Sequence, residues 1–219
     1  MKKISAIIIN YNGINFLQEC IESVINQRYK ACEVIVIDNN STDGSGKLLI
    51  DNYGNLKIKI MHENIGFSKA VNTGIKQSIG EYCLILNSDI ILDMEWLANA
   101  IQSIEHLDEK VGIFSGKILS MNYKNVIDSA GQFISRFLKP NERGYCTLDK
   151  GEFKEGYIFS CCGAVGLYKK KMLEDIKINN EYFDEDFFMY KEDFDLGWRA
   201  NLLGWRAYFN PSALAYHYR

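Results

Sequence analysis

Proline is almost missing from this chain: Pro140 and Pro211 are the only two in 219 residues. A Pro-rich linker between domains is thereby excluded. Long apolar runs are missing as well: residues 6–9 are typical, and the longest is only about five residues. A membrane-spanning helix needs ~20 such residues, and a secretory leader needs ~7–15. The start, Met-Lys-Lys-Ile, runs quickly into Asn10-Tyr11-Asn12, which predicts a cytoplasmic protein. There is no surplus of positive charge: 25 Lys and Arg stand against 28 Asp and Glu, a net charge of −3. That balance argues against a nucleic-acid partner, which calls for a basic surface. No Gly-x-Gly-x-x-Gly and no Gly-x-x-x-x-Gly-Lys-Ser/Thr occurs, which disfavours a dinucleotide cofactor or a P-loop. The six cysteines, at 20, 32, 83, 146, 161 and 162, include no Cys-x-x-Cys pair, so zinc of the usual spacing is not expected. Cys20 and Cys83 fall in apolar patterns and read as buried thiols rather than disulfides.

What remains is an ordinary globular composition, 47% hydrophobic and 24% charged. It suits one domain, with residues 1–110 and 111–219 as its two halves. In the first half strand and helix alternate. Residues 4–10 are an apolar strand. Residues 14–26 carry Leu17, Cys20, Ile21 and Val24 at helical spacing. Residues 33–38 form a second strand, a turn cluster follows at 39–44, and a helix runs to about residue 51. Residues 56–62 alternate as a strand with one wet face. A helix over 67–79, in which Gly74 is a mild cost, and a strand over 82–86 come next, then a helix over 94–107. Such alternation predicts an α/β fold with a mostly parallel sheet and flanking helices. The second half reads as a strand at 111–119, loops and short strands over 120–160, a helix at 190–203, and short strands at 206–210 and 213–218 around Pro211.

In an open parallel sheet, ligands bind beyond the carboxyl ends of the strands. Those ends are unusually polar here: Asn10-Tyr11-Asn12, Asp38-Asn39-Asn40, His62-Glu63-Asn64 and Asn87-Ser88-Asp89. One Asn or Asp at such a turn serves as a cap. Four clusters of two or three exceed that need, and a polar, nucleotide-like ligand is their natural occupant.

These blocks resemble those of family-2 inverting glycosyltransferases, in particular the rhamnosyltransferase-type branch. The matching residues are Ile7 to Asn12, Val34 to Ser45, Asn64 to Asn72, Leu86 to Asp89, Gly163-Ala164, Phe183 to Tyr190 and Glu192 to Leu196. The resemblance implies a nucleotide-sugar-binding glycosyltransferase A-type fold. It implies a nucleotide diphosphate sugar as donor, linked to uridine or deoxythymidine and carrying rhamnose by branch. The acceptor would be the hydroxyl of a saccharide or lipid-linked saccharide, in surface polysaccharide synthesis. Peripheral association with the inner face of a membrane goes with that setting. By the same resemblance Asp38 holds the base or ribose, and Asn10 and Tyr11 line the nucleotide pocket. Asn64, Gly66 and Lys69 lie near ribose and diphosphate, and Asn40, Asn87 and Ser88 complete the donor site. Asp89 would hold a divalent cation, Mg or Mn, with His217 as a second ligand. The chain departs from the usual motif at Asn87, where the family has a first Asp; one carboxylate fewer weakens a site for a hard cation.

Residues 183–195 hold the acids Asp184, Glu185, Asp186, Glu192, Asp193 and Asp195 with Lys191 as the sole base. The aromatics Phe183, Phe187, Phe188, Tyr190 and Phe194 argue that this segment packs on the body. An inverting displacement needs a carboxylate facing the acceptor hydroxyl. By resemblance that base is Asp193, with Glu192 supporting it or contacting the acceptor. Two readings compete. A nucleotidyltransferase would carry a Gly-rich basic loop where this chain has Asn12-Gly13-Ile14-Asn15. A non-catalytic nucleotide-sugar-binding module would fit the absent first Asp.

Overall fold

The computed structural model describes residues 2–31 and 33–218; Cys32, named above among the cysteines, lies outside them. The first half contains β1 (Ile4–Asn10), α1 (Leu17–Ile25), β2 (Glu33–Asp38), α2 (Ser45–Asn52), β3 (Lys57–Ile60), α3 (Phe67–Gln77), β4 (Tyr82–Asn87), β5 (Ile90–Leu92) and α4 (Trp96–Glu105). The second contains β6 (Val111–Ser120), β7 (Val126–Ser129), β8 (Gln132–Ile134), β9 (Pro140–Glu142), β10 (Thr147–Leu148), β11 (Gly156–Ile158), β12 (Val165–Lys169), α5 (Lys170–Ile176), α6 (Glu192–Leu202) and β13 (Arg206–His217).

One mixed sheet runs β10-β7-β6-β12-β4-β1-β2-β3, with β5, β11 and β13 attached beside it. Its first-half portion, β3-β2-β1-β4, is parallel throughout. β12 then enters antiparallel between β4 and β6. Successive residues of β1 point to opposite faces of the sheet. Ile4, Ala6 and Ile8 enter one core with α1 and α4, through Leu17, Ile21, Trp96 and Leu97. Ile7 and Ile9 enter the other with α3, α5 and α6, through Val71, Ile75, Leu173 and Leu196. Both faces of β1 are therefore dry, as expected of a central parallel strand.

Gly74 turns from an expected cost into a requirement. A Cβ there would lie 2.3 Å from Ile7 Cγ2, so the glycine lets α3 sit directly on β1. The first helix begins at Leu17 rather than residue 14, because the Gly13 carbonyl accepts from the N–H groups of Phe16 and Leu17 in a tight turn. The strand at 56–62 is shorter, and as the sheet edge it leaves Ile60 exposed. The sequence reading does not foresee β5, β12 and α5. In β12, Gly166 breaks the apolar pattern, yet Cys161 Sγ occupies the place where its Cβ would be. The two short strands expected around Pro211 are one strand, β13. Its register against β6 shifts between Asn210 and Leu214, an irregularity that absorbs the residue lacking an N–H.

Candidate active site

In register, Asn10 lies beside Asp38, and Ile9 lies beside Asn87. The carboxyl ends of β1, β2 and β4 thus share one edge, and a cavity of ≈ 460 Å³ opens there. Its walls are Tyr11, Asn12 and Gly13 after β1, Asn39 after β2, Asn64 and Gly66 before α3, and Asn87, Ser88 and Asp89 after β4. Phe188, Met189, Tyr190 and His217 close the other side.

Asn10 and Asp38 lie beneath this cavity and are absent from its lining; both are fully buried. Asn10 Nδ2 donates to Asp38 Oδ1 at 2.6 Å, and Ser41 closes on the same carboxylate through its N–H and hydroxyl. The pair ties the loops after β1 and β2 together. Asn40 is exposed in a left-handed turn (φ 63°), and Lys69 is on the exposed face of α3; neither lines the cavity. Asn39 lines it instead. Asn39 Nδ2 donates to Asn64 Oδ1 at 2.8 Å, and the Ile65 N–H donates to Asn39 Oδ1 at 2.9 Å. Gly66 (φ 80°) lets the Phe188 backbone approach, and the Phe67 N–H donates to the Phe188 carbonyl at 2.6 Å. The segment before α6 is thereby fastened over the start of α3.

At the far end of the cavity β13 brings His217 beside Asp89. His217 is buried near the end of β13. His217 Nε2 is 3.4 Å from Asp89 Oδ2, and His217 Nδ1 is 2.7 Å from Asp128 Oδ2. Burial alone would push the imidazole down. Hydrogen bonds to Asp128 and Asp89, with their charges, outweigh it and raise the pKa to about 9. Asp89 Oδ1 is buried with no hydrogen-bond partner. A buried acceptor without a donor is costly; the residue that carries it lines the cavity, beside an imidazole whose other nitrogen is fixed by a carboxylate. An unsatisfied carboxylate oxygen next to a histidine so oriented fits a divalent cation, which would take the place of the imidazole's second proton.

A second cavity, ≈ 230 Å³, adjoins the first and shares Phe67, Asn87, Met189, Tyr190 and His217 with it. Gln132, Glu142, Gly163, Lys191, Glu192 and Asp193 are among the residues that line the remainder. Asp193, in the first turn of α6, is held on both oxygens. Oδ2 accepts from Gln132 Nε2 and the Gly163 N–H, each at 2.7 Å, and Oδ1 accepts from the Phe194 N–H at 2.7 Å. Gln132 Nε2 also donates to Glu142 Oε1 at 2.7 Å. Burial raises the Glu142 carboxyl, and the hydrogen bonds from Ser129 and Gln132 oppose it. Glu142, Cys162 and Asp193 offer ligand atoms within 4.8 Å of one another. Their carboxylates are already engaged by protein donors, which makes Asp89 and His217 the better cation site.

Glu192 Oε2 is buried without a partner. Burial first, and the charge of Asp193 second, raise this carboxyl from 4.5 to about 7. Between those pH values the folded state binds the extra proton, so stability falls as pH rises through the window. The loss is complete above pH 7 and is at most about 3 kcal/mol. Glu192→Gln is therefore expected to be more stable than the parent at pH 8, by up to that amount, and nearly level with it at pH 5. Thermal melts at the two pH values measure this; an equal difference at both would contradict it.

Of the residues singled out in the sequence, the structure gathers Tyr11, Asn64, Gly66, Asn87, Ser88, Asp89 and His217 around the first cavity, and Glu192 and Asp193 around the second. Asp128, Gln132 and Glu142 escaped the sequence reading. They sit in short, irregular strands and reach the site only through β7, β8 and β9.

Residues 5–177 match the model of the family described as glycosyl transferase family 2. Glycosyltransferase GlyA of Streptococcus pneumoniae is 28% identical over 227 residues, covering 99% of this chain and 31% of that protein. The poly-beta-1,6-N-acetyl-D-glucosamine synthase of Staphylococcus aureus is 24% identical, covering 99% of this chain and 50% of that one. The chain thus spans half or less of the length of these relatives. GalNAc-T7, solved with UDP, GalNAc and Mn²⁺, superposes with a TM-score of 0.79 at 15% identity, covering 100% of this chain and 44% of that one. That likeness extends the agreement in fold to the whole chain, and the fold is the glycosyltransferase A type.

Proposed function

The chain belongs to glycosyl transferase family 2, and from that premise we propose that the first cavity holds a nucleotide diphosphate sugar and the second its acceptor. The observation that carries the reading is the shared wall. Asn87, Tyr190 and His217 border both cavities, so a sugar placed there has its leaving diphosphate on one side and Asp193 on the other. In this reading Tyr11, half-exposed at the rim, offers its ring to the base. Asn39, Asn64 and Ser88 present amides and a hydroxyl toward ribose and diphosphate. The buried Asn10–Asp38 pair shapes the loops that carry these groups. Asn40 and Lys69 stay outside the cavity, and their roles toward a donor are indirect.

Asp89 and His217 would hold a divalent cation, Mg or Mn, with Asp128 orienting the imidazole. Bound there, the ion supplies a Lewis acid for the developing charge of the diphosphate. Asp193 accepts the proton of the acceptor hydroxyl as that oxygen attacks from the face opposite the leaving group. The attack inverts the configuration at the sugar carbon. Glu192 flanks the acceptor and adds an acceptor oxygen for its hydroxyls. Rhamnose is proposed as the donor sugar from the branch resemblance. Polysaccharide assembly is supported by the name of the staphylococcal relative, a poly-beta-1,6-N-acetyl-D-glucosamine synthase; a place in the cytoplasm or at the inner face of a membrane is proposed from the family resemblance.

A thermal-shift panel of nucleoside diphosphates and their sugars, with and without Mn²⁺, tests the donor site. A ligand at a hundred times its Kd stabilises by about 2.7 kcal/mol, which raises the melting temperature of a chain this size by roughly 5–10 °C. The expected result is a shift for a uridine or deoxythymidine diphosphate that grows with Mn²⁺. No shift for any member of the panel would overturn the reading.

A further inference from the structure

The hairpin β8–β9 has a second feature at its other end. It pairs outside the main sheet, Gln132 opposite Glu142 and Ile134 opposite Pro140, and its turn projects into solvent. At the tip, Phe137 is 85% exposed and Leu138 is 64% exposed. Leu138 is in the left-handed region (φ 57°), a conformation uncommon for a residue other than glycine and taken here in the turn. The turn is built on Ser135: its N–H donates to the Lys139 carbonyl, its carbonyl accepts from Leu138, and its hydroxyl accepts from Phe137 and Lys139. Arg136 and Lys139 flank the two apolar side chains and are themselves exposed. Among the described residues neither forms an ion pair. Residues 133–141 contain no acid, in a chain whose net charge is −3.

We propose that this tip is a membrane contact, in which Phe137 and Leu138 enter the interfacial region of an anionic bilayer while Arg136 and Lys139 meet lipid phosphates. Charge decides for lipid: two free cations beside two apolar side chains match a fluid, negatively charged interface. Shape agrees. A convex tip of two residues offers far less than the ~800 Å² per partner of a stable protein interface, whereas a bilayer can close around it. The base of the hairpin is anchored. The Arg143 guanidinium lies 4.7–5.0 Å from the ring centres of Phe133, Phe153 and Phe209. Gln132 joins Glu142 to Asp193. From Gln132 to Phe137 the chain can cover at most about 17 Å, five steps at strand rise, and less because the last steps are turn. A docked tip therefore holds the base of the hairpin, beside the second cavity, within that distance of the lipid surface, in reach of a saccharide borne on a lipid. That consequence rests on the acceptor reading above; the membrane contact itself does not.

Flotation with vesicles of phosphatidylglycerol and phosphatidylethanolamine, against phosphatidylcholine alone, tests it. The protein should float with the anionic vesicles and lose that binding as salt rises. Phe137→Ser with Leu138→Ser should weaken partition at least tenfold, as should Arg136→Gln with Lys139→Gln, since each cation near such a surface contributes about fivefold. Both variants should keep the nucleotide-induced thermal shift, which shows an intact body. Phe137→Trp should give a blue shift and quenching by brominated lipid that the parent lacks. Absence of flotation, flotation that survives both double variants, or a concentration-dependent dimer abolished by the apolar variant would each overturn the proposal. Vesicle binding without any nucleotide shift would instead contradict the donor reading and leave the tip assignment standing.

Discussion

Asp193→Asn is expected to lower sugar transfer by ~10²–10⁴-fold, the range for loss of a general base, with donor affinity within a few-fold of the parent. The carboxylate is fixed by Gln132, the Gly163 N–H and the Phe194 N–H, so it meets an acceptor hydroxyl without reorganising. Asn keeps the volume and removes the basicity. It must set its own NH₂ against one of the three donors, which costs about 1–3 kcal/mol of stability, so the melt of the variant is measured beside its rate. Donor affinity is spared because Asp193 lines only the second cavity. Transfer within a few-fold of the parent would remove Asp193 from the mechanism. Glu192, with its unpartnered Oε2 and a pKa of about 7, would then take its place.

Asp89→Ala is expected to remove the Mn²⁺-dependent part of nucleotide binding and to lower transfer on the order of 10²–10³-fold. Ligand and second-shell losses at metal sites reach 10–100-fold on their own, and the Lewis acid adds several kcal/mol of charge stabilisation. Asn87 stands where the family resemblance leads one to expect an Asp, so in the proposed site Asp89 is the one carboxylate of Asn87-Ser88-Asp89 that could face the ion. Its Oδ1 has no protein donor to satisfy it. The substitution deletes no packed apolar group and leaves His217 with Asp128, so the fold should survive. Mn²⁺ titration followed by nucleotide-induced thermal shift reads the effect. A variant that keeps the full Mn²⁺ response would place the cation elsewhere, with the Glu142, Cys162 and Asp193 group next in line.

The parallel half of the fold was legible because its strands are buried on both faces and stand out as apolar runs between amphipathic helices. Asn64 and Asn87 to Asp89 could be placed at one edge because in a parallel sheet the chain order alone puts strand ends there; Gly66 came only from the family resemblance. Which polar residue of a cluster turns inward was not legible. Asp38 and Asn10 satisfy each other below the floor, while Asn39, one residue on, faces the cavity. A one-residue difference in a turn reverses such an assignment, and composition carries no sign of it. The second half was harder for a different reason. β12 runs antiparallel to its neighbours, β7 to β11 are too short to show a period, and β13 carries its register shift at Pro211. Those elements deliver Asp128, Gln132 and Glu142, so the support of the candidate base and metal site was the part hidden from sequence.

The central claim is that the two adjoining cavities carry out one displacement across their shared wall. It is tested most directly by the anomeric configuration of the transferred sugar. Proton NMR of the glycoside first formed from a donor of known configuration should show the opposite anomer, because Asp193 and the diphosphate site flank the sugar from opposite sides. A product that retains the donor's configuration would require two displacements or attack from the leaving-group face, and would contradict the account.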